Sequence, residues 1–95
     1  EMEGAVAGFL AATFAPPLAE VDDFFIEAAW QRRGLGTALM ETFFAACRAA
    51  GVTRVEVDAD PNAEAIYARF GFRTFARSPS GSIPGRFLPR MALEF

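Results

Sequence analysis

Histidine and lysine are both absent from this 95-residue chain, and cysteine occurs once. Without histidine there is no His general base, no Ser-His-Asp triad and no donor set for most zinc sites, so no metal is expected. Without lysine there is no phosphate-binding P-loop, which needs that residue after its last glycine. Cys47 stands alone and cannot close an internal disulfide. Its place in alanine-rich sequence predicts a small buried apolar residue in a reducing compartment. Long uncharged runs are also missing. Glu41 and Arg48 interrupt the longest apolar candidate, which falls short of the roughly 18 to 20 residues of a membrane span. No signal peptide is recognisable, so the expectation is a soluble cytoplasmic protein that engages no membrane.

What is present suits one small globular domain over residues 1–95: hydrophobic residues make up 53% of the chain, eleven of them Phe. The net charge of −3 is unevenly distributed. Residues 1–31 hold six acids and no Arg, whereas residues 65–95 hold five Arg and one acid. A nucleic-acid binder would be basic overall with interleaved aromatics, so nucleic acid is not an expected partner. The basic half instead suits a phosphate-bearing ligand or the acidic half of the same fold.

The chain is organised around Gln31-Arg32-Arg33-Gly34-Leu35-Gly36-Thr37, between an alternating apolar segment at 21–26 and helix-forming sequence at 35–50. Two glycines one residue apart remove side chains where a ligand could approach the backbone. The first-turn N–H groups from Gly34 to Thr37 have no partner inside the helix. With the positive end of the helix dipole and the guanidinium groups of Arg32 and Arg33, the stretch reads as a cradle for a diphosphate. A dinucleotide fingerprint would require a third glycine at Leu39 and a tight turn directly after the strand. Both are missing, although Glu56 stands about twenty residues on, where that motif wants an acid.

In chain order, residues 5–13 read as a strand, with Gly8 marking a possible bulge, and Pro16-Pro17 ends it. A second strand at 20–26 follows closely enough to form an antiparallel hairpin. Strict alternation would put Glu20, Asp22, Phe24 and Ile26 on one face, and Val21, Asp23 and Phe25 on the other. Carboxylates in so apolar a strand either discourage edge aggregation or do chemistry. Trp30 is expected to pack over the start of the next helix. That helix spans 34–50: Leu35, Leu39 and Phe43 recur four apart, and Gly51 stands where a helix-ending glycine belongs. Apolar nearly all round, it predicts a buried rod roughly 25 Å long. A strand at 52–59 completes a right-handed βαβ unit with parallel pairing, whose ligand site lies at the carboxyl ends of the strands. Asp60-Pro61 then reads as an N-cap followed by proline at the first helical position, opening a short helix that Gly71 ends. Strands at 73–77 and 90–95 close the domain around a loop rich in Ser, Pro and Gly.

Gln31, Gly34 and Gly36 fill the Gln/Arg-x-x-Gly-x-Gly/Ala signature of the GCN5-related N-acetyltransferases (GNAT), and the 58–72 segment resembles the other half of that family's site through Tyr67, Gly71 and Phe72. The run at 81–86 also resembles tails found in some bacterial members. The resemblance implies an α/β (α+β) fold: a mixed sheet with a central βαβ unit, an N-terminal hairpin and two C-terminal strands. It lacks the usual N-terminal strand and two helices, because the chain starts at or near the hairpin. It further implies acetyl-CoA as co-substrate, held by Phe25, Ile26, Gln31, Arg32, Arg33, Gly34, Leu35, Gly36, Thr37, Asn62 and Tyr67. Asp60 occupies the family's usual Asn slot and Asn62 lies two residues later, so either can reach the pantetheine arm.

Transfer of an acetyl group to an amine needs a neutral nucleophile, a donor for the oxyanion and a proton for the departing thiolate. An alkyl amine is almost wholly protonated at neutral pH, so a carboxylate is the natural proton acceptor. Glu20 and Asp22 are the candidates, Glu20 matching the place of a catalytic glutamate in some family members, with Asp23 third. Tyr67 is the candidate proton donor to sulfur, its alternative being a core aromatic. Backbone N–H groups near Phe25 and Ile26, where the family's strand splays from its neighbour, would bind the thioester oxygen. The expected function is acetyl-CoA-dependent N-acetylation of an amine on a small molecule or peptide. The alternative is a non-catalytic acyl-CoA-binding or regulatory module. Self-association is expected as well, because the first strand would present an apolar edge and the helix bearing Phe43 and Phe44 would lack cover on one flank.

Overall fold

The computed structural model describes residues 8–27, 34–79, 85 and 87–95. Five strands and two helices follow in the order β1 (Gly8–Ala15), β2 (Leu18–Ile26), α1 (Leu35–Ala49), β3 (Arg54–Asp58), α2 (Glu64–Arg69), β4 (Arg73–Pro79) and β5 (Phe87–Glu94). They form one mixed sheet in the order β1-β2-β3-β5-β4. β2 and β3 are parallel, and the other three pairings are antiparallel. This is the expected α+β architecture with its hairpin, its βαβ unit and its closing pair of strands.

Alternation along β3 sets the two faces of the sheet. Val55 and Val57 are buried with Ala19, Val21 and Met91 against Met40, Phe43 and Cys47 of α1 and Tyr67 of α2. Full burial of each large apolar side chain contributes about 1.5 to 3 kcal/mol. Arg54, Glu56 and Asp58, one residue out of phase, point to the opposite face. Cys47 is fully buried as expected, and burial pushes its thiol pKa up, a rise that Arg48 partly offsets.

Strict alternation fails in β2. The pairing runs Ala11↔Asp23 and then Ala12↔Val21, so Asp22 is an extra residue, a β-bulge that reverses the faces beyond it. Val21 is buried on the helix side, but so are Phe24 and Ile26 in part. Glu20 and Asp22 therefore do not share a face with Phe24 and Ile26. Gly8 is not the bulge: a Cβ there would stand 2.7 Å from the carbonyl oxygen of Phe25, and this close approach explains the glycine.

Helix α1 is likewise less buried than its composition predicts. Met40, Phe43 and Cys47 are its buried residues, and the alanines at 38, 45, 46 and 49 face outward. Alanine favours helix without demanding burial, so an alanine-rich helix overstates the width of its apolar stripe. Nor does its Phe pair lack cover. Phe43 packs against Phe14, and Phe44 against Phe72 and Phe95 with ring centroids 6.2 and 5.4 Å away. Strand β5 starts at Phe87, earlier than the closing strand predicted at 90–95, and Pro89 lies buried within it. Proline has no N–H to give a ladder, but its carbonyl accepts from the Ala59 N–H at 2.9 Å.

Candidate functional site

The parallel ladder between β2 and β3 runs from Leu18↔Arg54 to Val21↔Val57 and stops there. β2 continues to Ile26 paired with β1, so the two strands part company where the bulge at Asp22 redirects β2. A cleft of about 620 Å³ lies beyond that point. Its walls are the end of β2 (Phe24, Phe25, Ile26), the start of α1 (Gly34, Gly36, Thr37) and one side of α2 with its approach (Ala63, Ile66, Tyr67, Arg69, Phe70).

Six residues singled out from sequence thus come together: Phe25, Ile26, Gly34, Gly36, Thr37 and Tyr67. Leu35 is half-buried at the start of α1 but does not line the cleft. Asn62 is exposed one residue before Ala63, and its backbone N–H donates at 2.8 Å to Oδ1 of Asp60. Asp60 is therefore the N-cap of a 3₁₀ turn, Pro61–Ala63, that leads into α2, as its sequence position predicts. Gln31, Arg32, Arg33 and Trp30 lie outside the described residues. Sequence reasoning did not single out Ala63, Ile66, Arg69 and Phe70. Ala63, Ile66, Tyr67 and Phe70 are spaced for a single helix face, and with Tyr67 as anchor that spacing was the available signal.

Among the described residues no carboxylate lines the cleft. Gly34 enters α1 with φ 79, a left-handed conformation open to glycine, and α1 has neither a side-chain cap nor an acid in its first turn. The uncapped first-turn N–H groups and the dipole's positive end are left to whatever occupies the cleft. Gly36 is different: among the described residues a Cβ there would make only ordinary contacts, 3.6 Å from Ile26 and Phe24.

Tyr67 is held by its ring, with Phe24 and Phe72 at centroid distances of 6.0 and 5.4 Å. Burial, with a smaller contribution from the Asp23 carboxylate, pushes its pKa up to about 12. Among the described residues its hydroxyl has no hydrogen-bond partner, and it is not sealed away from the cleft.

Glu20 and Asp22 lie elsewhere. With Glu56, Thr13 and Leu18 they line a second hollow of about 380 Å³ on the sheet face away from the helices. Thr13 Oγ1 donates to Asp22 at 2.7 Å. Arg90 is the hub of that face: it donates to Glu56 at 2.6 Å and stands 2.9 Å from Asp58 and 3.7 Å from Glu20. Arg54 donates to Glu56 at 2.8 Å, and Phe75 lies against both guanidiniums. The Arg54 hydrogen bond, more than Arg90, holds the Glu56 carboxyl below its usual range. Bonds to Asp58 lead the causes that raise the Arg90 pKa.

Residues 1–94 match the acetyltransferase (GNAT) domain family. The chain belongs to the GNAT acetyltransferases. No curated protein sequence matches it. Among solved structures, Ard1 from Thermoplasma volcanium is 27% identical with a TM-score of 0.83, over 97% of this chain and 65% of that one. The ribosomal-protein-S18-alanine N-acetyltransferase from Escherichia coli is 24% identical with a TM-score of 0.79, over 99% of this chain and 64% of that one. An IAA acetyltransferase from Bacillus cereus ATCC 14579 gives 21% and 0.76, over 100% of this chain and 74% of that one. The chain thus spans just under two thirds of the length of the first two. As a GNAT domain it carries the fold of acetyl transfer, and among its described residues no helix is long and apolar enough to cross a membrane.

Proposed function

We propose that the chain transfers the acetyl group of acetyl-CoA to an amine on a small molecule or peptide. The observation that carries this reading is the cleft itself: an uncapped helix start and a tyrosine hydroxyl with no partner among the described residues share one groove, lined by no described carboxylate, at the point where β2 leaves β3. Gly34, Gly36 and Thr37 suit the diphosphate, while Phe24, Ile66 and Phe70 suit the pantetheine arm. The backbone of Phe25 is the candidate donor to the thioester oxygen.

In the reaction the amine nitrogen bonds to the carbonyl carbon, the carbon–sulfur bond breaks, and the amine's proton leaves to a carboxylate or water. Glu20 and Asp22 are the candidate acceptors, reached across the gap in the sheet. The sulfur leaves as a thiolate. With its pKa near 12, Tyr67 remains protonated at any physiological pH. Full transfer of so tightly held a proton to the departing thiolate would run uphill. Tyr67 serves best as a hydrogen-bond donor that stabilises the departing sulfur.

Thermal shift with CoA, acetyl-CoA, NAD and ATP tests the donor. At about a hundredfold excess over its dissociation constant a ligand adds roughly 2.7 kcal/mol. Stabilisation by CoA and acetyl-CoA alone is expected. A shift with NAD and none with CoA would overturn the reading.

A further inference from the structure

We propose that Glu64 is a positioning residue for Tyr67: held by strand β4, it fixes α2 on the sheet and so sets where the tyrosine hydroxyl stands in the cleft. The inference rests on the acetyl-transfer reading above and adds to it a residue outside the cleft lining. Oε2 of Glu64 accepts from Thr74 Oγ1 at 2.5 Å, and Arg77 Nη2 stands 3.4 Å from the same oxygen. Both partners belong to β4, an edge strand of the sheet. Side chains three apart in a regular strand point to opposite faces, so an unbroken β4 could not offer both to one oxygen. The strand is not regular. Its pairing runs Thr74↔Met91 and then Ala76↔Arg90, so Phe75 is an extra residue, a bulge that resets the phase. Thr74 and Arg77 thus pair with Met91 and Pro89, both buried, on the side of the helices. Phe75 turns instead to the outer face, against Arg54 and Arg90.

A tether at Glu64 matters because little else that holds α2 is directional. The helix is six residues long, well below the roughly 12 to 15 residues at which an isolated helix is even marginal in water, so contacts with the rest of the fold decide where it lies. Among the described residues Glu64 makes the only side-chain hydrogen bonds and ion pairs between α2 and the sheet. The Tyr67 ring packs on Phe24 and Phe72. Apolar packing has no preferred direction and lets a short helix slide or rock, whereas a hydrogen bond weakens steeply when its angle is lost. Glu64 and Tyr67 are three residues apart, neighbours on the helix surface, so a shift of the first turn carries the tyrosine with it.

Two measurements test this. Tyr67 is the only tyrosine of the chain, so protein carrying ring-labelled tyrosine gives the NMR signal of that one ring, read without ligand or activity. Glu64→Ala and Thr74→Val are each expected to move or broaden the signal, while Glu64→Gln, whose amide oxygen still accepts from Thr74, leaves it close to its wild-type position. The second measurement is steady-state turnover with a responsive amine, in a double-mutant cycle with Tyr67→Phe. Glu64→Ala is expected to lower kcat about tenfold, within the roughly 10² that a misplacement of about 1 Å can cost, and to change KM for acetyl-CoA far less. Once the Tyr67 hydroxyl is gone, Glu64→Ala is expected to lower kcat no further. Thr74→Val supplies both readouts if Glu64→Ala does not fold. A ring signal unmoved in the folded variants would overturn the inference and leave the acetyl-transfer reading intact. An equal loss of turnover with and without the hydroxyl, which a merely structural role predicts, would overturn it as well. A wild type that acetylates no amine would overturn the acetyl-transfer reading, and the ring signal alone then decides whether Glu64 sets the place of Tyr67.

Discussion

The two hollows lie on opposite faces of one sheet and have opposite chemistry. Among the described residues no carboxylate lines the cleft beside the helices, and these walls are apolar apart from a helix start, a tyrosine hydroxyl and Arg69. The hollow on the outer face is lined by Glu20, Asp22 and Glu56. On the function proposed above the contrast fits the reaction, because the proposed donor carries phosphates and the proposed acceptor amine arrives as a cation.

The largest effect should come from the residue that the proposed function sets against the departing sulfur. Tyr67→Phe keeps the ring contacts with Phe24 and Phe72 and removes only the hydroxyl. Turnover with a responsive amine should fall about 10² to 10³, as when one donor to a developing anion is lost, while calorimetric CoA affinity stays within a few-fold. A purely structural role would shift the melting temperature and leave turnover unchanged.

A smaller effect belongs to the outer face. Arg90 and Glu56 side chains are 22% and 25% exposed, between the surface and buried limits for ion pairs. Arg90→Met should lower unfolding free energy at neutral pH by about 1 to 2 kcal/mol after allowance for solvent screening. The pH dependence follows from Glu56, whose folded pKa is lowered. Its stabilisation is fully present above the unfolded value of about 4.3 and is lost as pH falls through the lower folded one. The difference between the two proteins in denaturant melts should therefore begin to shrink as pH falls below about 4 and go on shrinking in stronger acid. A gap that persists in acid would assign Arg90's contribution to its contact with Phe75.

These two faces were not equally legible in the sequence. Gly34, Gly36, Thr37 and Tyr67 were within reach because turn chemistry and a helix start announce themselves locally. The parallel pairing of β2 and β3 followed from a βαβ unit whose alternation at Val55 and Val57 is clean. The outer network was hidden because Arg90 meets Glu20, Glu56 and Asp58 only after β5 inserts between β3 and β4. The bulge at Asp22 was hidden too: two consecutive acids followed by two phenylalanines read equally well in either phase, and only pairing with β1 decides. Arg69 escaped notice because an exposed arginine in a helix's last turn needs no explanation until the opposite wall is known.

The smallest effect separates what the fold needs from what a ligand needs. Gly34 takes a positive φ of 79 that L-residues rarely adopt, whereas Gly36 sits inside α1 with ordinary dihedrals and room for a methyl at 3.6 Å from Ile26 and Phe24. In a helix, glycine is less favourable than alanine by roughly 0.5 to 1 kcal/mol. If the ligand-free fold alone had selected position 36, alanine would be the better residue. Gly36→Ala should therefore raise the stability of the ligand-free protein by about 0.5 to 1 kcal/mol. CoA affinity should fall, since the new methyl occupies the wall on which the diphosphate rests. Denaturant unfolding gives the first quantity and calorimetry the second. A ligand-free variant less stable than wild type would mean that the fold itself requires this glycine, and its presence would then say nothing about what the cleft holds.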